Sequence, residues 1–317
     1  MILDLTILAV AFAACVLLYP TLIRAFKRLR VRQPIQAELS SAHQRKAGTP
    51  TGGGILFVAV GVLGGLLATR NHPGALPATV ALVLYGGLGL VDDLAKLRFG
   101  SIGLPARFKF PLQVLCAIPI VWLAAVQQHP DRFDLIHQWY FWPLAVLAVV
   151  GAANAVNLTD GLDGLAGGLA AIAILGMVFL LPGAVLEVQA GFGERAVAMS
   201  LAGGVLAFLV YNRHPARIFM GDTGALGLGA ALSAMAIQQG WMLLLLGLGL
   251  VFALETASVI MQVSYFKLTG GRRLFKMTPI HFTFQLEGWS ERRIALAFWS
   301  AGALAAVASG LIAHSLL

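Results

Sequence analysis

The stretch Asn154–Gly168, NAVNLTDGLDGLAGG, lies between two long apolar runs and carries two acids, Asp160 and Asp163, with no lysine or arginine beside them. Each flanking run is long enough to cross a bilayer as a helix, the form in which a chain satisfies its own backbone hydrogen bonds where water is absent. The stretch therefore reads as the joint between two membrane helices, with its carboxylates at the edge of the hydrocarbon. Acids in that position are costly unless a cation or a base from elsewhere in the fold meets them.

Composition supports the membrane reading. Of 317 residues, 59% are hydrophobic and 11% charged, and the mean hydropathy is +0.84, well outside the range of soluble globular domains. The net charge of +8 falls in short loops between apolar runs rather than on one amphipathic face, so the expected partner is membrane lipid and no nucleic acid is expected. Cys15 and Cys116 lie inside apolar runs without CxxC spacing and give no reason to expect a disulfide or a zinc site. The first apolar run has no basic segment ahead of it and leads directly into RAFKRLRVR, the pattern of a retained span rather than a cleaved signal.

Ten apolar stretches are expected as membrane helices, at 2–23, 53–69, 75–91, 110–126, 139–157, 164–182, 196–211, 222–237, 241–266 and 294–315. Lysine and arginine collect in cytoplasmic loops. Loops 24–52, 92–109, 212–221 and 267–293 hold 19 of the basic residues, while the opposite side holds only Arg70, Arg132 and Arg195. The asymmetry predicts an all-α integral membrane protein of about ten transmembrane helices, with both termini outside the cytoplasm. No internal repeat, low-complexity tract or soluble domain interrupts the chain, so residues 1–317 are expected to form one membrane domain.

That topology sorts the acids. Asp92, Asp93, Asp160, Asp163 and Asp222 fall at helix ends on the cytoplasmic side, from the junctions GLVDDLAK, NLTDGLDG and FMGDTGALG. Helix capping, in which an Asp at a helix start accepts backbone N–H bonds, accounts for any one of them. Five acids from three junctions on one face fit a divalent-cation site better. Magnesium takes hard oxygen ligands and is held by one or two carboxylates together with phosphate and water, which implies a phosphorylated substrate. Asn157, Asp160 and Asp163 recur every three residues and share one face, about 60° apart per step, if the segment is helical.

Basic partners are present as well. HQRKAGTPTGGG supplies His43, Arg45, Lys46 and a glycine cluster, and ARFKF supplies Arg107 and Lys109. The glycine cluster lacks the closing Gly-Lys-Ser/Thr of a P-loop, and glycines opening a membrane helix commonly serve close packing. The last basic loop holds His281, a histidine that is either structural or functional. Glu255 lies in the middle of an apolar run and is expected to be functional or tightly paired.

Taken together, GLVDDLAK, NAVNLTDGLDGLAGG, FMGDTGALGLG and KMTPIHFTFQLEGWSE resemble the polyprenyl-phosphate N-acetylhexosamine-1-phosphate transferases, in the family's order and over nearly the whole chain. The closest likeness is to the branch that uses UDP-N-acetylmuramoyl-pentapeptide as donor. The resemblance implies magnesium-dependent transfer of a sugar phosphate to undecaprenyl phosphate at the cytoplasmic face of the bacterial inner membrane, giving lipid I and UMP. Carried over by position, Asp222 would ligand magnesium, and Asp92 and Asp93 would sit at the lipid-phosphate and metal end. Asn157, Asp160 and Asp163 would line the nucleotide cleft, Lys46 and Lys109 would meet substrate, and His281 would join the catalytic set. A homodimer is a further expectation of the resemblance.

The chain departs from the branch's pattern at two places. Three consecutive histidines usually follow Pro-Ile, whereas His281 is followed here by Phe282 and Thr283, and the usual Met of the glycine cluster is Gly53. The first departure keeps a sibling reading open, a UDP-N-acetylglucosamine 1-phosphate transferase. An ion-coupled transporter would instead need acids near the bilayer midplane in both halves, and the clustered acids sit at one face.

Overall fold

The structure, a computed structural model, describes residues 1–29, 31, 48–99, 103–127, 136–181 and 191–316. It is helical throughout, with no strand among the described residues. The helices are α1 (Ile2–Arg28), α2 (Gly54–Thr69), α3 (Leu76–Phe99), α4 (Ala106–Val126), α5 (Phe141–Thr159), α6 (Leu165–Phe179) and α7 (Phe192–Asn212). They continue with α8 (Gly221–Gln238), α9 (Leu245–Leu248), α10 (Leu250–Leu268), α11 (Ile280–Leu286) and α12 (Glu291–Ser315).

Helices occupy all ten expected apolar stretches, and among the described residues six of them are long and apolar enough to cross a membrane. A bent pair raises that number to seven if it forms one span. The shorter α2, α6 and α8, of 16, 15 and 18 residues, rise only about 1.5 Å per residue and lie among longer neighbours.

The stretch 241–266, expected as one span, is broken. After a 3-10 turn at Met242–Leu244 and the short α9, the chain bends by 85° at Gly249 into α10. The run LLGLGLV is uniformly apolar, so hydropathy hides the break. Its glycines give the helix its weak point.

At the centre stands α8, every residue of which from Asp222 to Gln238 is buried. It packs on α3, α5, α2 and α4, and its small side chains let backbones meet. A Cβ on Gly89 of α3 would fall 2.3 Å from the Asp222 carbonyl oxygen, and one on Gly229 would fall 2.3 Å from that of Ala152 in α5. Without a hydrophobic drive between helices in lipid, such close approach is what holds them together. Polar pairs add to it: Asn154 Nδ2 donates to Gln113 Oε1 at 2.8 Å and Gln113 Nε2 donates back to Asn154 Oδ1 at 3.3 Å, tying α5 to α4.

A second layer, α7 with α1, α2 and α6, is closed at one end by the Arg195–Asp4 pair at 3.4 Å. At the other end, the last turns of α3 and α5, the first turns of α4, α8 and α12, and the loop 213–220 converge.

Candidate active site

That end gathers the expected acids into two neighbouring groups. In the first, α3 delivers Asp92 and Asp93 from its penultimate turn, and α8 carries Asp222 in its first turn. Asp93 caps α8 across the helix boundary: Oδ1 accepts from the Asp222 N–H at 2.9 Å, and Oδ2 from the Thr223 N–H at 3.0 Å and hydroxyl at 2.7 Å. These bonds satisfy N–H groups that a helix start leaves open and set a negative charge at its positive end. Both oxygens of Asp93 are thus engaged by backbone and hydroxyl.

Two lysines bridge the other two acids. Lys96 Nζ lies 2.6 Å from Asp222 Oδ1 and 2.7 Å from Asp92 Oδ2. Lys109 Nζ, from the first turn of α4, lies 2.5 Å from Asp222 Oδ2 and 3.5 Å from Asp92 Oδ2. Asp92 also accepts from the Leu104 N–H at 2.8 Å. Lys96 stands one turn after Asp92 on the same helix face, a spacing that signals an ion pair; its second partner, 126 residues away, has no local signature.

Asp160 ends α5 and accepts a hydrogen bond from the Gly221 N–H. Burial pushes its carboxyl well above the usual carboxylate range, and the negative charges of Asp222, Asp93 and Asp163 push it further, against the lowering effect of that one hydrogen bond. Among the described residues Lys96 and Lys109 thus bridge Asp92 and Asp222, while Asp93 and Asp160 lie within electrostatic reach of Asp222. A surplus of hard, negatively charged oxygens is the donor set that suits magnesium. Asp222, with Asp92 across the lysines from it, is where such an ion would be held, Asp93 being committed to the cap; the acids and histidine whose ligand atoms gather within 4.8 Å of one another among the described residues are instead Asp163, His214 and Glu291.

Asp163 belongs to the second group. Its Oδ2 lies 2.9 Å from His214 Nδ1 and accepts from the Ala216 N–H at 3.0 Å, while its own N–H donates to Glu291 Oε2 at 3.3 Å. Gly164 N–H donates to Asn212 Oδ1 at 2.9 Å. The turn between α5 and α6 is thus fastened to the end of α7, to the loop 213–220 and to the start of α12. Asp163 and its partners His214 and Glu291 are 51 and 128 residues apart in the chain, so no spacing announces them. Asn157 sits on the last turn of α5, half-buried beside this turn.

His281 packs on the far side of the same turn. It is fully buried and forms a pair with Glu255 at 3.1 Å, Nδ1 to Oε2. Phe282 lies against it, ring centres 4.1 Å apart and planes tilted by 55°, and the Thr283 hydroxyl donates to the Met277 carbonyl at 2.5 Å and accepts from its N–H at 3.2 Å. Lys46 lies outside the described residues, but the glycine cluster after it does not. Gly53 and Gly54 donate to the carbonyls of Phe219 and Met220, both at 2.8 Å, and Phe219 N–H donates to Pro50. GTPTGGG thus braces the backbone just ahead of Asp222.

An apolar groove of about 390 Å³ opens where α9 and α10 bend away from α5. Leu147, Gly151 and Val156 line it on one side and Leu246, Phe252 and Thr256 on the other. Leu147 and Leu246 are exposed on the apolar surface, so the groove opens sideways, and Val156 brings its inner end to within about one helical turn of Asp160.

Residues 75–240, which carry α3 through α8 and all five acids, match the family model described as Glycosyl transferase family 4. The chain belongs to glycosyl transferase family 4. Its similarity to individual members of that family extends over almost its entire length. It is 38% identical over 315 residues, 95% of each chain, to a phospho-N-acetylmuramoyl-pentapeptide-transferase of Listeria monocytogenes serotype 4b. It is 42% identical over 323 residues to the protein of that name from Symbiobacterium thermophilum, covering 97% of this chain and 95% of the relative. The Bacillus anthracis protein of the same name is 41% identical over 312 residues, 94% of each. The link from Lys96 to Asp222, together with His214, Glu291 and the cap on Thr223, is what the sequence did not single out here.

Proposed function

We propose that the protein is a single membrane domain that transfers phospho-N-acetylmuramoyl-pentapeptide from its UDP donor to undecaprenyl phosphate, giving lipid I and UMP. The observation that carries this reading is the similarity over 94–97% of the chain to relatives of that name, joined to a carboxylate–lysine cluster at the end of a lateral apolar groove. The same reading places the protein in the bacterial plasma membrane with ten spans and both termini outside the cytoplasm. The site then faces the cytoplasm, on the side of the basic loops. A homodimer stays an expectation of the resemblance.

In this reading the polyprenyl chain lies in the groove along α5, and its phosphate enters the cluster from the bilayer. A phosphate oxygen of the lipid attacks the sugar-linked phosphorus of the donor; the new P–O bond forms as the bond to UMP breaks. The lipid phosphomonoester, with a second pKa of about 6, is already largely dianionic at neutral pH, so Asp92 need remove at most a residual proton. Lys96 and Lys109, held by Asp222 and Asp92 before substrates arrive, turn to the phosphate oxygens and offset the charge that gathers during transfer. Asp93 keeps the first turn of α8, and with it Asp222, in place. Asn157, Asp160 and Asp163 border the donor's nucleotide, and Lys46 precedes the brace that meets α8. Magnesium, when bound by Asp222 and its neighbours, supplies electrostatic stabilisation of the pyrophosphate.

A second reading, transfer from UDP-N-acetylglucosamine, is favoured by one feature: Phe282 lies against His281 and the Thr283 hydroxyl is tied to Met277, so the segment offers one imidazole. Purified protein in detergent, given magnesium and undecaprenyl phosphate, tests both. UMP release from the muramoyl-pentapeptide donor supports the first reading, release from the N-acetylglucosamine donor alone replaces it with the second, and release from neither rejects both.

A further inference from the structure

The turn that joins α5 to α6 carries Asp160 and Asp163, and it is gripped on both sides by a histidine and a carboxylate. On one side stand His214, Asp163 and Glu291. On the other, His281 and Glu255 are both fully buried, at 0% exposure, and 3.1 Å apart. The second pair is the harder to explain as packing. Glu255 rises from the middle of α10, where an acid is costly in an apolar helix. Glu255 Oε1 and both ring nitrogens of His281, Nδ1 and Nε2, are buried with no hydrogen-bond partner among the described residues, Nδ1 approaching Glu255 Oε2 at 3.1 Å without hydrogen-bond geometry. Buried polar atoms are almost always satisfied, so three orphans in one pair mark a place held for a reason other than stability.

The direction of the imidazole supplies the reason. Glu255 Oε2 accepts from the His281 backbone N–H at 3.5 Å and stands 3.1 Å from Nδ1, so Glu255 lies along the Nδ1 edge and Nε2 is on the other. That edge meets the turn: a Cβ on residue 161 would fall 2.5 Å from His281 Nε2 and 3.0 Å from Phe282 Cζ. Gly161 lies between Asp160 and Leu162, so its backbone leads directly to the carboxyl that touches the start of α8. The ring therefore bears on a residue one peptide unit from Asp160.

We propose that Glu255 is a positioning residue of the transfer reaction, acting through His281 on the Gly161 turn to set where Asp160 stands against Asp222. It touches neither substrate. The inference rests on the transferase reading above and adds to it a residue of α10, the helix that also walls the groove. A carboxylate holds the ring by charge and geometry together, a carboxamide by geometry alone, and a methyl on residue 161 displaces the ring from the opposite side. Glu255→Gln and Gly161→Ala therefore perturb one linkage at its two ends.

The experiment measures kcat and both KM values for the wild type, Glu255→Gln, Glu255→Asp, Gly161→Ala and the Glu255→Gln/Gly161→Ala double variant in detergent, with a thermal midpoint for each. Displacement of a reacting geometry by about 1 Å costs on the order of a hundredfold, so kcat falls on that order in Glu255→Gln and in Gly161→Ala. Both KM values and the midpoints stay near wild type, and Glu255→Asp recovers part of the loss. The double variant is no slower than the slower single, because residues acting through one linkage are not additive. Losses that multiply, a kcat within about twofold of wild type in Glu255→Gln, or a kcat that falls only as the midpoint falls, overturn the proposal. If Glu255→Gln does not fold, Glu255→Asp and Gly161→Ala form the same cycle and are read in the same way. A wild type inactive with every donor defeats the transferase reading instead, a distinct outcome.

Discussion

Asp93, on the last turns of α3, caps α8 by accepting the backbone N–H groups of Asp222 and Thr223 at 2.9 and 3.0 Å. The acid adjacent to it in sequence, Asp92, faces the lysines instead. Two consecutive aspartates on one helix thus do different work, one holding the site's frame and the other lining its interior.

The cap predicts the behaviour of Asp93→Ala. Loss of an N-cap costs about 0.5–2 kcal/mol, so the thermal midpoint falls, and turnover falls with it as the first turn of α8 frays under Asp222. Asp93→Asn keeps one acceptor and recovers part of both. Midpoints and initial rates measured on the same preparations test this; an Asp93→Ala protein with wild-type midpoint contradicts it.

On the proposed reading, Lys109, 2.5 Å from Asp222, competes with the divalent cation for that carboxylate. Lys109→Met is expected to bind manganese more tightly than wild type, read by electron paramagnetic resonance, and yet to lose on the order of a hundredfold or more in turnover. Asp222→Ala loses both manganese binding and turnover. Unchanged manganese affinity in Lys109→Met would remove Lys109 from the account given for the cluster.

Asp160 links stability to pH. Its folded-state pKa lies above the unfolded one because of burial and the neighbouring acids, so the folded protein holds this proton more firmly. Its contribution to stability is full below the unfolded pKa, about 3.9, and is lost as pH rises through the folded value. Metal-free protein should accordingly lose thermal stability between mildly acidic and alkaline buffer. Asp160→Asn should flatten that dependence and stabilise the protein at the alkaline end while lowering turnover. A dependence as steep in the variant as in the wild type rejects the assignment.

The groove is testable at Gly151, where an added Cβ meets nothing within 4 Å. Gly151→Leu thus fills the groove without straining the helix. The KM for undecaprenyl phosphate should rise on the order of tenfold, since each CH₂ kept from burial forfeits about 0.8 kcal/mol, while the KM for the UDP donor stays unchanged. An equal effect on both substrates would mean that the groove is not the acceptor's path.

Much of the architecture was readable before any coordinates, for physical reasons. Hydrocarbon demands helices, so apolar length alone marked all ten stretches, and the lone acids of NLTDGLDG stood out because lipid-facing segments exclude them. What escaped was information that no local pattern holds. Capping was legible as an option for each acid, but that Asp93 accepts from the N–H of Asp222, 129 residues later, follows only from the close approach of Gly89 to Asp222. Glu255 was marked by its cost in the membrane and His281 by its place in the last basic loop; that the two, 26 residues apart, form a pair was not. The break at Gly249 was invisible to hydropathy because both of its arms are equally greasy.

An interior built from glycine and alanine, as around α8, leaves almost nothing to carve away and nowhere to add. Where Gly89 meets the Asp222 carbonyl and Gly229 that of Ala152, even a methyl group exceeds the gap. Variation is therefore confined to the rim of the bundle, and a hardier version of this protein would have to be sought among its lipid-facing leucines. The central helix, which holds Asp222 at its tip, behaves as a keystone cut to one size.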